Sequence, residues 1–313
     1  MPDLEIRRLG RTEMKPKSLG LGSGYLGDKN RPDDEAISTI HTAIDQGINF
    51  VDTSPEYGVS EYRVGLALSG GLRDKVYLQT KVGSHPKYLR DFSRKATTWS
   101  LENSFKLLKT DYIDSVLIHG PRHDIETPLD HCLDVMLEWK AKGKIGHIGI
   151  GVRQHEFHKR AIETGEMDII LSFLDYTLLS QSLAKTSIPL ALRNDVGIIL
   201  ASPLTGSLLA GPEPIFRGTI NGKDELPPSL VGSRMDPSIY PMAHKMWQWC
   251  QTRGLNIRDL AIQFALNAPV SGNGIVLTGP SNVTEFNQVF SSATNHVEES
   301  VWKEFKAEFG IAI

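Results

Sequence analysis

Four residues whose side chains can move or steer protons stand at or just beyond the ends of apolar runs. Asp52 closes "INFVD", Tyr57 follows in "TSPEYG", Lys81 closes "VYLQTK" and His119 closes "DSVLIH". Taken singly, each has an ordinary reading. An Asp after a strand is common turn chemistry. A Tyr beside a Gly packs with its hydroxyl in water, a Lys is surface charge, and a His is a hydrogen-bonded structural residue. Taken together, they describe one chemistry. A phenol with a pKa of about 10 is a poor acid or base at neutral pH. A nearby ammonium lowers that value by stabilising the phenolate. A carboxylate paired with the ammonium keeps it charged and aimed, and an imidazole can hold the substrate oxygen. Such a set suits general acid–base catalysis of a carbonyl–alcohol interconversion, provided that the fold brings the four side chains together.

The elements around them predict that it does. Short β-branched runs alternate with helical patterns, as in βα units built on a parallel sheet. After an N-terminal β-hairpin, "SLGLGSG" reads as the first strand, followed by a helix over residues 32–45 with apolar positions at 3–4 spacing. "INFV", "VYLQT", "YIDSVLI", "KIGHIGIG", "MDIILSF", "VGIILA" and "GIVLTG" supply seven more strands. Helices are predicted between them, including residues 60–68 and the stretch "DFSRKATTWSLENSFKLLK". Another has Thr127 as N-cap and Pro128 in its first turn, and the last two start at Val283 and Glu298. Eight alternations with no linker point to a single (β/α)8 TIM barrel spanning residues 1–313. Active sites of that fold lie at the C-terminal ends of the strands, where Asp52, Lys81 and His119 fall. Residues 211–241, rich in Pro and Gly, are too long for a plain connection and read as a long functional loop after strand seven.

Bulk properties narrow the partners. The formal net charge is −3, so nothing marks a nucleic-acid or anionic-membrane surface. No apolar run approaches a membrane span, and the start "MPDLEIRRLG" is not a signal peptide. Cys132 and Cys250 lie far apart and outside any metal motif, and Cys132, on an apolar helix stripe, reads as a reduced buried thiol. A cytoplasmic enzyme of small molecules is expected, monomer or homo-oligomer.

"GINFVDTSPEYGVSEYRVGLAL", "LQTKVG", "DYIDSVLIHG", "GKIGHIGIG" and "ASPLTGSLL" resemble, in order and spacing, the signature blocks of the aldo-keto reductases. The resemblance implies a barrel that binds a nicotinamide nucleotide across its strand ends. It also implies Tyr57 as acid/base, Asp52 and Lys81 as its tuners, and His119 as the group that orients the reacting oxygen. Cofactor contacts are implied at Gly22, Ser172, Ser202, Leu204, Gly206, Ser281, Asn282 and Glu285.

Three positions depart from the family pattern. Gly151-Val152-Arg153 stands where Ser-Asn usually holds the nicotinamide carboxamide. Ser172 or Phe173 replaces a Gln, and Ala201 replaces a stacking Tyr. "MDIILSFLDYTLLSQSL" and "GIILASPLTGSLLAGPEP" resemble instead the branch of L-galactose, L-fucose, D-arabinose and D-threo-aldose 1-dehydrogenases. The stretch "TGPSNVTEFNQ" carries Glu285 and no Lys or Arg, which suits the ribose hydroxyls of NAD better than the 2′-phosphate of NADP. Ser281 and Asn282 could equally cap a helix. Tyr25, His85 and His123 are rim candidates for sugar contacts. An NADPH-dependent carbonyl reductase, a pyridoxal-type dehydrogenase and a nucleotide-binding regulatory barrel are the alternatives.

Overall fold

The computed structural model describes residues 3–214 and 239–311. Eight parallel strands close on themselves in chain order: β1 (Leu19–Gly22), β2 (Phe50–Asp52), β3 (Tyr77–Val82), β4 (Ile113–His119), β5 (Ile145–Gly151), β6 (Ile169–Phe173), β7 (Gly197–Ala201) and β8 (Gly274–Thr278). Almost every strand residue is buried, because helices cover the outside and the strands fill the inside. That two-sided burial is why the runs read as continuously apolar.

The covering helices are α1 (Asp33–Asp45), α2 (Ser60–Ala67), α3 (Arg94–Leu108), α4 (Glu126–Ala141), α5 (His155–Ile162), α6 (Ser187–Arg193), α7 (Ile239–Gln251), α8 (Ile257–Leu266), α9 (Val283–Thr294) and α10 (Glu299–Phe309). Ser93, Asn256 and Asn282 cap α3, α8 and α9 by accepting a backbone N–H two or three residues on. The expected cap of α4 is corrected. Asp124, not Thr127, accepts the N–H groups of Glu126 and Thr127 at 2.9 and 3.3 Å. A carboxylate there also complements the positive end of the helix.

Leu9 and Met14 join Phe50, Leu117, Ile169, Leu171, Ile199, Ile275 and Leu277 in the barrel interior. The N-terminal segment thus closes the bottom of the barrel. The expected hairpin is narrower than a two-strand ladder: one antiparallel bridge, Ile6 to Lys17, with hydrogen bonds from Arg7 N to Pro16 O and from Ser18 N to Glu5 O. Asp168 fastens this floor, accepting from Arg11 Nε at 2.8 Å, Lys140 Nζ at 2.9 Å and Ile148 N at 3.0 Å. Of the expected loop over 211–241, residues 215–238 lie outside the described residues, and Pro241 belongs to α7.

Candidate active site

At the mouth, side-chain alternation puts Asp52, Gln79, Lys81, Ser115 and His119 on the inward face of β2, β3 and β4. Asp52 pairs in register with Gln79, and Gln79 with Ser115. The side chains follow that register. Ser115 Oγ donates to Gln79 Oε1 at 3.0 Å, and Gln79 Nε2 donates to Asp52 Oδ1 at 2.7 Å. Lys81 Nζ donates to both Asp52 oxygens at 2.6 and 2.7 Å and to Thr53 O at 2.8 Å. Both partners of the ion pair are almost wholly buried, with side chains 1 % and 3 % exposed. Gln79 was not anticipated. Its signal was its place two residues before Lys81 on the same face.

Tyr57 arrives from the loop after β2. Lys81 Nζ lies 4.8 Å from the Tyr57 ring centroid, and the ring meets His119 edge-on at 5.8 Å. The loop is locked by backbone contact with the 3-10 turn Tyr25–Gly27. Val59 N donates to Gly27 O at 3.0 Å, and a Cβ on Gly27 would fall 1.6 Å from Tyr57 O. Gly58, with φ of +60°, faces that same Gly27 carbonyl, where a Cβ would lie 2.2 Å away. These two glycines let the Tyr57 loop press against the exit of β1.

Burial adds to one expectation. Lys81 lowers the phenol pKa of Tyr57, as expected, yet the net value lies above the ordinary one. Burial raises it, Lys81 pulls it down and Asp52 pushes it up again. Burial is the largest effect, and the pull of Lys81, though stronger than the push of Asp52, does not outweigh it. Lys81 itself is held above its ordinary value: burial would depress it, and Asp52 with Tyr57 outweigh that. His119 is driven well below its ordinary value by burial, then by Lys81 and Arg90. It is therefore neutral at pH 7, and its approach to Glu56 (Nδ1 to Oε2, 3.4 Å) is not an ion pair. The set thus holds a protonated phenol, a charged lysine and a neutral imidazole around one opening.

Around the rest of the rim, Leu174 and Ser202, just past β6 and β7, take left-handed backbone with φ of +68° and +60°. Strain of this kind, about 1–3 kcal/mol per residue, gathers at functional sites. Thr205, Gly206 and Ser207 continue the left-handed run. Phe173 faces the barrel interior, and Ser172 faces out, donating to Asp175 at 2.8 Å. Arg153, just past β5, is clamped by Asp175, with Nη2 to Oδ1 at 2.7 Å, and lies over the Phe173 ring.

Asn282 caps α9 through Glu285 N at 2.9 Å, and Glu285 Oε2 accepts from Ser281 N at 2.7 Å. An open groove of about 640 Å³ runs along this helix start, lined by Glu35, Ser38, Asn282, Thr284, Glu285 and Gln288. Two of its lining residues, Glu35 and Glu285, are carboxylates. Tyr25 stands exposed beside Gly279, at the ends of β1 and β8. His85 packs edge-on against Trp99, and His123 is exposed in the loop after β4. Neither histidine makes a hydrogen bond or ring contact with the four central residues, among the described residues.

The profile of the Aldo/keto reductase family matches residues 18–308. D-threo-aldose 1-dehydrogenase of a Pseudomonas species is 29 % identical over 315 residues, covering 92 % of each chain. L-galactose dehydrogenase of Arabidopsis thaliana is 29 % identical over 309 residues, covering 94 % of this chain and 89 % of that one. In fold, the glycerol dehydrogenase of Gluconobacter oxydans superposes with a TM-score of 0.77 at 23 % identity, over 97 % of this chain and 94 % of that one. A closed eight-stranded barrel, a buried Asp–Lys pair beneath a Tyr and a His, and this match over nearly the whole length have one reading: the chain belongs to the aldo-keto reductase family of NAD(P)-dependent oxidoreductases.

Proposed function

We propose that the protein is an NAD-linked aldose 1-dehydrogenase. It would oxidise the C1 hydroxyl of a cyclic sugar of the L-galactose, L-fucose or D-arabinose type to the lactone. The observation that carries the chemistry is the convergence of Tyr57, the Asp52–Lys81 pair and neutral His119 on one opening. Tyr57 takes the C1 hydroxyl proton in the minor fraction that is phenolate, a fraction that alkaline pH enlarges. Lys81, held charged by Asp52, stabilises that phenolate, and His119 holds the C1 oxygen. A bound nicotinamide supplies the hydride acceptor for C1. The ring oxygen is already bonded to C1, so loss of the proton and the hydride leaves a lactone.

The sugar reading is supported by the two aldose dehydrogenases matched over almost the full chain. The NAD reading is supported by Glu35 and Glu285 in the groove at α9, with Arg31 turned to Ser281 O at 3.1 Å and to Glu35. Gly22, Ser202, Leu204 and Gly206 would flank the dinucleotide between mouth and groove, with Ser281 and Asn282 at its ribose end. Tyr25, His85 and His123 would be reached by the sugar or the loops that close on it. The raised phenol pKa of Tyr57 also suits the reverse reaction, with Tyr57 as the acid that protonates a reduced carbonyl.

One panel separates the readings. Initial rates of nicotinamide reduction are measured with L-galactose, L-fucose, D-arabinose, L-glucose and pyridoxal, each with NAD and NADP. NADPH-driven reduction of a simple aldehyde is run beside them. Oxidation of one aldose with NAD supports the proposal. Brisk aldehyde reduction with no sugar oxidised sinks it and leaves a carbonyl reductase.

A further inference from the structure

Three oxygens crowd one nitrogen of His119. Ser84 Oγ lies 2.7 Å from Nδ1, Ser54 Oγ 3.1 Å and Glu56 Oε2 3.4 Å. An imidazole nitrogen offers a single in-plane position, a lone pair or an N–H, so these groups demand opposite things of it. The serine hydroxyls can give Nδ1 a hydrogen. The carboxylate can only take one.

Burial decides between them. Ser84 and Ser54 are 2 % and 1 % exposed, and neither hydroxyl has another acceptor among the described residues. A proton on Nδ1 would deprive both buried hydroxyls of that acceptor, a loss water cannot make good. Glu56 has a side chain 38 % exposed, so water serves its carboxylate, and 3.4 Å is long for a charge-assisted bond. His119 Nε2 has no protein partner among the described residues and is not sealed from solvent.

We infer that Ser84, seconded by Ser54, fixes His119 in the tautomer with Nδ1 as acceptor and the proton on Nε2. This rests on the proposed role of His119 as the group that holds the reacting oxygen, and makes Ser84 its positioning residue. The consequence is directional. Nε2–H donates to a lone pair of the C1 oxygen, while the O–H of that same atom is left to Tyr57. In the other tautomer, Nε2 can only accept, so it competes with Tyr57 for the C1 O–H and leaves the oxygen without a donor. The charged and titratable groups facing the ring are Glu56 and Tyr57 from the β2 loop, Lys81 from β3 and Arg90 from the β3 loop. Of these, Glu56 brings an acceptor oxygen to within 3.4 Å of Nδ1, and it is the competitor once the serines are removed.

The test reads the ring nitrogens of His119 in 15N-labelled, cofactor-free protein by two-bond 1H–15N correlation, beside steady-state kinetics. The wild type is expected to show Nδ1 unprotonated and Nε2 protonated. Ser54→Ala/Ser84→Ala should shift the population toward Nδ1–H facing Glu56 and lower kcat/KM about tenfold. Ser84→Thr, which keeps the hydroxyl, should preserve both tautomer and rate. A protonated Nδ1 in the wild type, or an unchanged tautomer in the double alanine variant, overturns the inference. The spectrum is independent of turnover, so it stands even if no aldose is oxidised. Rates are then read on whichever carbonyl the enzyme reduces.

Discussion

Replacing Asp52 by Asn removes one member of a pair whose side chains are 1 % and 3 % exposed, joined at 2.6 and 2.7 Å. Breaking a buried pair by removing one partner costs about 3–5 kcal/mol, because the other charge is stranded without water. Thr53 O still accepts from Lys81 Nζ, and the Asn carbonyl can still accept from Gln79, so the lower half of that range applies. With an unfolding entropy of about 2.1 cal/mol/K per residue and 313 residues, the melting temperature should fall by roughly 5–6 °C. Activity should fall further than stability implies, by about tenfold or more at saturating substrate, because Lys81 loses the partner that keeps it charged. Calorimetry at pH 7 and initial rates below the transition measure the two effects separately. Asp52→Asn/Lys81→Met, with no stranded charge, should recover much of the melting temperature and none of the activity. A shift under about 1 °C with activity kept, the behaviour of an exposed pair, would refute both the burial and the coupling to Tyr57.

Other outcomes follow from the same geometry. The Tyr57 phenol lies above its ordinary value, so the difference in alkaline absorbance between wild type and Tyr57→Phe should appear only above about pH 10; ionisation near neutral pH would contradict burial as the dominant influence on the phenol. Asp168 is held well below the carboxylate range: burial alone would raise it, and bonds from His147, Lys140, Arg11 and the Ile148 amide prevail. Its contribution is therefore present above the unfolded value and lost as pH falls through the folded one. Asp168→Asn should cost roughly 2–3 kcal/mol near pH 7, and the gap to wild type should narrow below about pH 3. A gap independent of pH would show that the carboxylate charge is not what fastens the floor. Glu285→Gln should keep the cap of α9 and raise the NADP-to-NAD ratio of kcat/KM by about tenfold, the effect of removing one repulsive charge. An unchanged ratio would leave Glu285 as a cap alone.

The strands were legible because helices cover one side of each and the packed interior the other, leaving unbroken apolar runs such as "GIIL" and "GIVL". Asp52, Lys81 and His119 were legible because barrel strands end on a common rim in chain order. Ser54 and Ser84 were not, since a serine beside a turn is everywhere, and only three-dimensional proximity to Nδ1 distinguishes these two. Thr127 was a reasonable cap by type, but the helix starts two residues earlier than that cap implies, at Glu126, where Asp124 reaches two N–H groups. The pull of Lys81 on Tyr57 was legible from residue types, but the burial that outweighs it was not, because only the fold shows how far the phenol is withdrawn from water. Glu285 carries two readings at once, as a groove carboxylate and as the acceptor of the Ser281 amide, and sequence alone shows neither bond.

The most direct test of the central claim is a single-turnover comparison of wild type with Tyr57→Phe. Both would be saturated with cofactor and mixed with the best substrate of the panel, with cofactor affinity measured beside the rate. If Tyr57 moves the proton, hydride transfer should fall by at least about a hundredfold, within the range of general acid–base catalysis, with cofactor affinity unchanged. A Tyr57→Phe protein that binds cofactor normally and turns over within a few-fold of wild type would contradict the account.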